Sequence, residues 1–233
     1  MADDRSTVPM HALLNVRESL LADVDRTVGA PERLLVLSNR SGTQQLGELI
    51  DGELMELTAL PEPVDGAHYI PDTRRAVLEV AAGGNERDQL YVIDLTAAAA
   101  KPVTGFDQLR ALTAMPDFGH HVAGVSGDGT RLAYLCNRAN GVDFDLWCCD
   151  LASGEQRLLW ASGGYCIASS GFSPDDRYVA LLRFGSRPLD TDLLLVDVEA
   201  GEARLTLPHP EEAALVGDPA WIDATSFYAP SNV

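Results

Sequence analysis

Short apolar segments separated by polar turns run along most of the chain. Examples are RAVLEV (residues 75–80), RLAYLC (residues 131–136) and YVALLRF (residues 178–184). Segments of this length that are rich in Val, Leu and Tyr are typical of β-strands with a half-buried, pleated surface. The intervening Ser-Gly-Asp-Gly (residues 126–129) and Ser-Pro-Asp-Asp (residues 173–176) supply residues that tight turns require. The pattern predicts a protein built mainly of strands.

The segments recur as a repeat in which one aspartate precedes a strand and a second closes the next strand. The two aspartates are 22 residues apart in each of three copies: Asp72 and Asp94, Asp128 and Asp150, Asp175 and Asp197. Successive copies begin 56 and then 47 residues apart. A unit of about 45 residues with four short strands is the signature of a β-propeller blade. We therefore predict an all-β propeller of four-stranded antiparallel blades.

Two further copies extend the repeat in both directions. RLLVLSNRSG (residues 33–42) matches RLAYLCNRANG (residues 131–141), and PAWIDATSFYAP around Asp223 is a partial copy. The segment from His11 to Val24 could form a helix, although its tail also aligns with an inner strand of the first blade. We predict about five blades, the last incomplete, after an N-terminal segment at residues 1–23. The blades lie near residues 24–60, 67–105, 119–160, 166–207 and 215–233.

Composition and charge limit the binding partners and the cellular compartment that we expect. Hydrophobic residues make up 46% of the chain and charged residues 22%, as in soluble globular proteins. The net charge of −18 argues against nucleic acid or an anionic membrane as partner, since both attract positive surfaces. The sequence shows no signal peptide and no apolar run of about 20 residues. Buried, reduced thiols at Cys136, Cys148, Cys149 and Cys166 are expected, so we predict a cytoplasmic protein.

The repeat also resembles known propellers. The unit at residues 173–206, with its Ser-Pro-Asp turn and Asp-Val-Glu-Ala-Gly-Glu hairpin, resembles the TolB-type repeat. The series LSNRSG, GVSGDGTRLAYLCNR and GFSPDDRYVALLRFG is similar to the amino-terminal propeller of prolyl oligopeptidase family serine peptidases, of the acylaminoacyl-peptidase type. The resemblance covers residue 24 to the end and implies a propeller of more blades than these copies provide.

The resemblance also implies a catalytic half that this chain does not contain. Members of the family carry a G-x-S-x-G nucleophile elbow in an α/β-hydrolase domain. The nearest matches, GVSGD around Ser126 and GFSPD around Ser173, end in Asp where the second glycine is required. Both serines align with the turns of the repeat, so we interpret them as turn residues. We expect no catalytic residue in this chain.

Two other groups of residues are candidates for binding sites. His120 and His121, with Asp117 nearby, could suggest a metal site, but neighbouring side chains on a strand point to opposite faces. We expect instead that one histidine faces the central channel. Arg40 and Arg138 each follow an asparagine at the same place in a repeat and could bind a peptide carboxylate. A repeated hairpin hydrogen bond is the simpler interpretation, and we predict no metal and no cofactor.

These observations lead to three hypotheses of function. The first is a non-catalytic propeller that gates peptide access to a hydrolase domain, its partners being that domain and a peptide substrate. The second is a stand-alone TolB-like interaction module. The third is a propeller hydrolase or lactonase with a central metal, for which no residue set is apparent. The ring is either incomplete, which favours self-association, or closed by strands before Arg33 that complete the last blade.

Overall fold

The computed structural model describes residues 17–27, 29–185, 190–208 and 214–232. In these residues, the chain forms four antiparallel sheets of four strands and one sheet of two strands. The sheets follow one another in chain order, and each is a meander whose successive strands pair. This is the β-propeller architecture of about five blades that the repeat predicts.

The strands are bounded as follows. The first blade contains β1 (Ser19–Val24), β2 (Arg33–Ser38), β3 (Gln45–Ile50) and β4 (Glu53–Glu56). The second contains β5 (Gly66–Ile70), β6 (Arg75–Val80), β7 (Gln89–Asp94) and β8 (Arg110–Ala111). The third contains β9 (His120–Val125), β10 (Arg131–Cys136), β11 (Asp145–Asp150) and β12 (Gln156–Trp160). The fourth contains β13 (Cys166–Phe172), β14 (Tyr178–Phe184), β15 (Thr191–Asp197) and β16 (Glu202–Leu207). The last sheet contains β17 (Ala220–Asp223) and β18 (Ser226–Tyr228).

The apolar core is divided into four clusters, each lying between two successive blades. Strand β10 shows why: Leu132 and Tyr134 pack toward the second blade, whereas Ala133 and Leu135 pack toward the fourth. Successive side chains of a strand point to opposite faces, and here both faces are covered by neighbouring sheets. The middle strands are therefore apolar at nearly every position.

A short helix replaces one of the predicted hairpins. Asp150 and Asp197 each end a strand and accept hydrogen bonds from the turn that follows, which closes at Gly154 or Gly201 with positive φ. The second blade has no glycine at this place, and its Ala-rich segment forms helix α1 (Leu95–Ala100). Alanine favours the helix, and a side-chain oxygen of Asp94 caps it by accepting a bond from the amide of residue 97.

The first blade begins earlier than the sequence-based boundary. Strand β1 begins at Ser19, whereas the boundary was set at residue 24, and it pairs with β2 along its length. The tail of the His11–Val24 segment is therefore a strand, and residues 11–16 lie outside the described residues. Because β1 belongs to the first blade, it does not complete the last one. The expectation that strands before Arg33 complete the last blade and thereby close the ring is wrong for β1.

Apolar side chains lie exposed on the first blade and on the last sheet. Leu20 and Leu21 of β1 are 47% and 61% exposed, and Ile222 and Tyr228 of the two-stranded sheet are 56% and 75% exposed.

All four cysteines are buried and unbridged. In the part of the chain that the structure describes, no helix is long and apolar enough to cross a membrane.

Candidate functional site

The inner strands of the blades line a central cavity that is open to solvent. Strands β1, β5, β9 and β13 lie next to one another around it, and the cavity has a volume of about 450 Å³. This volume lies within the range of small-ligand sites. Its polar lining includes Asp23, Arg26, His68, Ser169, Ser170 and Asp218. The cavity thus combines two carboxylates with one guanidinium.

The two carboxylates of the cavity are held by neighbouring blades. Asp23 accepts a hydrogen bond at 2.9 Å from the backbone amide of Tyr69, which belongs to the second blade. Asp218 accepts one at 3.0 Å from the hydroxyl of Ser169, which belongs to the fourth. Each bond fixes the direction of a negative charge without neutralising it. The lining therefore favours a cationic or amine-bearing ligand over an anion.

Two glycines allow the inner strands of the third and fourth blades to approach closely. A Cβ atom on Gly124 of β9 would lie 2.9 Å from the Cα atom of Gly171 in β13. Gly171 has φ of +64°, which glycine adopts at little cost. The strands β9 and β13 form one wall of the cavity, so this glycine pair sets the width of the channel at that point.

At one end of the propeller lie the turns that follow the inner strands, and we name it the turn end (residues 71–74, 126–130 and 173–177). The hydroxyl of Ser126 donates to Asp128 at 2.6 Å and accepts from the amide of Arg131 at 2.9 Å. The contacts of Ser173 with Asp175 and Tyr178 have the same two distances. Both serines are almost fully buried. They form the turns, as the repeat predicts, and are not arranged as nucleophiles.

At the opposite end, five ionisable side chains meet where the second and third blades adjoin. We name them the seam cluster: Asp65, His68, Glu79, Asp88 and His121. The Nδ1 atom of His121 lies 3.5 Å from a carboxylate oxygen of Asp88 and 3.7 Å from one of Glu79. The Nε2 atom of His68 lies 3.4 Å from the other oxygen of Glu79. His68 also lines the cavity, so it connects the two regions.

The charged groups of the seam cluster shift one another's pKa values. The nearby carboxylates of Asp88 and Glu79 raise the pKa of His121 to about 9, against the opposing effect of burial. Burial alone would raise the pKa of Glu79, but its contacts with His121 and His68 outweigh burial and lower it. Burial and the adjacent carboxylate of Asp88 raise the pKa of Asp65 to about 6. The cluster therefore holds an excess of negative charge that a cation would relieve.

The two adjacent histidines lie in different environments, as alternation on a strand requires. His120 is fully buried, its Nδ1 atom lies 2.9 Å from the carbonyl oxygen of Asp88, and burial lowers its pKa. His121 contacts the carboxylates of the seam cluster, to which Asp117 does not belong. Of these two and His68, it is His68 that lines the cavity. The acidic neighbours of His121 come from another blade, and no spacing in the sequence indicated them.

The recurring asparagines bond across a hairpin. The side chain of Asn39 accepts a hydrogen bond from the amide of Glu18, and that of Asn137 accepts one from the amide of Gly119. These are equivalent positions, just before β1 and β9, as the structural interpretation predicts. The guanidinium of Arg138 lies over the ring of Trp147 and donates to Gln156 at 3.0 Å, so it is bound within its own blade.

A row of aromatic rings continues from the seam cluster. His121, Phe144, Tyr165 and Phe184 follow one another with ring centroids 5.3, 5.3 and 5.7 Å apart. Tyr165 and Phe184 are each about half exposed. We name this end, with the seam cluster and the aromatic row, the histidine end. Exposed aromatic surface beside charged groups is typical of interaction sites.

Comparison with known proteins identifies the fold. No protein-family model and no curated protein sequence matches the chain. Among solved structures, TolB from Acinetobacter baumannii is 16% identical with a TM-score of 0.62, over 87% of this chain and 46% of TolB. A puromycin-hydrolyzing peptidase from Mycobacterium tuberculosis is 16% identical with a TM-score of 0.60, over 91% of this chain and 35% of the peptidase. Prolyl oligopeptidase B from Galerina marginata is 12% identical with a TM-score of 0.61, over 92% and 34%.

The likeness confirms the propeller fold that the repeat predicts, shared by TolB and by the peptidase propellers. The chain spans less than half the length of that TolB and about a third of these peptidases.

Proposed function

We propose that this chain is the propeller portion of a serine peptidase of the prolyl oligopeptidase type, where it gates the access of peptides to a hydrolase domain. The observation that carries the proposal is the central cavity, which is formed by the inner strands and lined by carboxylates that suit a peptide's amino group. The likeness to peptidases extends over nine-tenths of this chain and over about a third of theirs. A narrow polar channel would exclude folded proteins and admit extended peptides.

The histidine end is the surface that a hydrolase domain would cover in this proposal. The half-exposed rings of Tyr165 and Phe184 offer apolar area, and the neighbouring carboxylates offer a charged rim. The turn end presents polar turns whose side chains bond within their own blade or to the next one. Four buried, unbridged thiols fit a cytoplasmic setting, and the exposed apolar side chains on β1 and β18 favour self-association.

Sequencing the gene on both sides of the segment that encodes this chain is the first test. A reading frame that continues into a domain with a G-x-S-x-G motif would support the proposal. Unrelated sequence beyond stop codons would contradict it. In parallel, this chain alone should not react with a fluorophosphonate probe, since Ser126 and Ser173 are buried in turns. Clear labelling of either serine would also contradict the proposal.

Gating is tested with a matched pair of variants on β1 in the full enzyme. Val24 lines the cavity, whereas Leu21 does not. Val24→Trp should slow the cleavage of peptides of ten or so residues about 10-fold while leaving a dipeptide substrate nearly unaffected, because added bulk narrows the channel. Leu21→Trp should change neither rate. Equal effects of Val24→Trp on both substrates would argue against gating by this cavity.

A second candidate function is a stand-alone TolB-like module that binds another protein. It is favoured by the likeness to a putative TolB from Agrobacterium tumefaciens, of which this chain covers 73% at 19% identity with a TM-score of 0.62. Such a module should be monodisperse and should unfold in one cooperative transition. Aggregation or a broad transition of the isolated chain would count against this alternative.

A further inference from the structure

Three side chains of the seam cluster contact one another at distances longer than hydrogen bonds. The Nδ1 atom of His121 lies 3.5 Å from Asp88 and 3.7 Å from Glu79. Charge-assisted hydrogen bonds between such groups are about 2.7–2.9 Å long. Bonds of about 2.0–2.2 Å to a tetrahedral zinc ion place neighbouring ligand atoms about 3.3–3.6 Å apart. The 3.5 Å separation lies within this range and the 3.7 Å separation just above it, so both are closer to the spacing of ligands around one cation than to hydrogen-bond lengths.

The chemistry of the three side chains fits the same conclusion. One imidazole nitrogen and two carboxylate oxygens all lie within 4.8 Å of one another. Histidine nitrogen and carboxylate oxygen are both zinc ligands, and a site with three protein ligands leaves a fourth position for water. The side chain of His121 is 40% exposed, which gives a metal ion and a water ligand access from solvent. Glu79 and Asp88 are each 12% exposed, so their charges are largely removed from water.

Neighbouring side chains contact the candidate ligands but do not neutralise the negative charge of their carboxylates. His68 contacts the second oxygen of Glu79, and the carboxyl of Asp65 contacts that of Asp88. Such outer contacts orient the ligands of metal sites. Within the described ranges, no lysine or arginine forms an ion pair with Asp65, Glu79 or Asp88. Three carboxylates thus face two imidazoles without a permanent cation.

We propose that Glu79, Asp88 and His121 bind a divalent cation of the zinc type, with His68 and Asp65 as supporting residues. Glu79 lies on β6, Asp88 lies just before β7, and His121 lies on β9. The ion would therefore tie the second blade to the third at the histidine end. The proposal concerns a structural cross-link and does not depend on the peptidase assignment.

The test uses the untagged full chain, stripped with a chelator and titrated with zinc chloride by calorimetry. We expect one zinc ion per chain and a higher melting temperature, because the ion binds the folded state. Asp88→Asn and His121→Gln should each weaken binding more than about 100-fold, and His68→Gln about 10-fold, as for an outer contact. Asp192→Asn, a carboxylate of β15 paired with Arg183, is the control and should leave binding unchanged.

Titration with cobalt(II) keeps the proposal testable if a variant fails to fold. A tetrahedral site with a nitrogen ligand should give the intense visible absorption of four-coordinate cobalt, and one equivalent of zinc should abolish it. Weak absorption typical of six oxygen ligands would overturn the proposal. The absence of saturable binding, or equal affinity of the wild type and a folded His121→Gln variant, would also overturn it.

Discussion

The turn end and the histidine end of the propeller are held by different kinds of contact. At the turn end, the bonds of Ser126 and Ser173 join residues two to five positions apart and have the same lengths in two blades. At the histidine end, Glu79 and His121 meet across 42 positions of the chain, and no other blade repeats their contact among the residues that the structure describes. A turn that recurs in several blades is therefore a property of the repeat, whereas a contact that does not recur distinguishes one seam from another.

The turn of the second blade does not repeat the bonding pattern of the turns in the third and fourth blades. Ile70 stands where the other blades have a serine, so the hydroxyl of Thr73 bonds instead to the carbonyl oxygen of Ile70 at 2.7 Å. Asp72 adopts a left-handed conformation with φ of +56°, whereas in the other two turns the next position, Gly129 or Asp176, has positive φ. The aspartates share a spacing, but Asp72 does not have the bonding role of its counterparts.

The largest effect on stability is expected at an ion pair that lies at the turn end but joins residues far apart in the sequence. It tests whether the place of a contact in the fold or its separation in sequence has the larger influence on stability. Arg74 belongs to the turn end but forms two 2.7 Å hydrogen bonds with the buried carboxylate of Glu48 in the first blade. Arg74→Met should lower the free energy of unfolding by about 3 kcal/mol, because a buried charge loses its partner. Urea unfolding measures the change.

The control for that pair removes both charges together. Arg74→Met combined with Glu48→Gln should regain most of the loss, since no unpaired charge stays buried. If the single variant is as stable as the wild type, long-range contacts do not dominate this seam.

Acidification should weaken the same contact. Burial, the largest influence, raises the pKa of Glu48, but hydrogen bonds from Arg74 and Tyr69 outweigh it and lower the pKa. The stability that this contact contributes is therefore present above the unfolded pKa of about 4.3 and is lost as the pH falls through the lower folded value. Stability measured against pH should fall less steeply in the double variant than in the wild type. Identical slopes would show that Glu48 is not responsible.

An intermediate effect is expected where inner strands touch. Gly124→Ala should destabilise the protein by about 2 kcal/mol, because the new methyl group would meet the backbone of Gly171. Gly164→Ala is the matched control: its Cβ would lie 3.6 Å from Arg183, an ordinary contact. Thermal unfolding of both variants should show a lower melting temperature for Gly124→Ala alone. Equal melting temperatures would mean that the strands can separate at no cost.

The smallest effects are expected at the repeated turns. Ser126→Ala and Ser173→Ala should each cost about 1 kcal/mol, because each removes one hydroxyl that makes two short hydrogen bonds. Since the two turns have the same geometry, the two losses should agree within about 0.5 kcal/mol. Urea unfolding of both variants beside the wild type provides the measurement. A difference above about 1 kcal/mol would show that the blades are not equivalent at this end.

The sequence by itself determined the propeller, the place of most strands and the role of the turn serines. Strand periodicity and turn chemistry act between neighbours in the chain, so both can be read from a single blade. It also misplaced particular elements. The alignment of the His11–Val24 tail with an inner strand predicted β1 but not its start at Ser19, and the helix at Leu95–Ala100 was not predicted, because that segment lacks the hairpin glycine.

Only the tertiary structure brought together Glu79, Asp88 and His121, and only it showed that His68 lines the cavity. These contacts depend on how one blade is rotated against the next, which the apolar clusters between the sheets decide. A spacing of residues within one blade contains no information about that rotation. The blade is therefore determined locally, and the seams, where the candidate sites lie, are determined by packing.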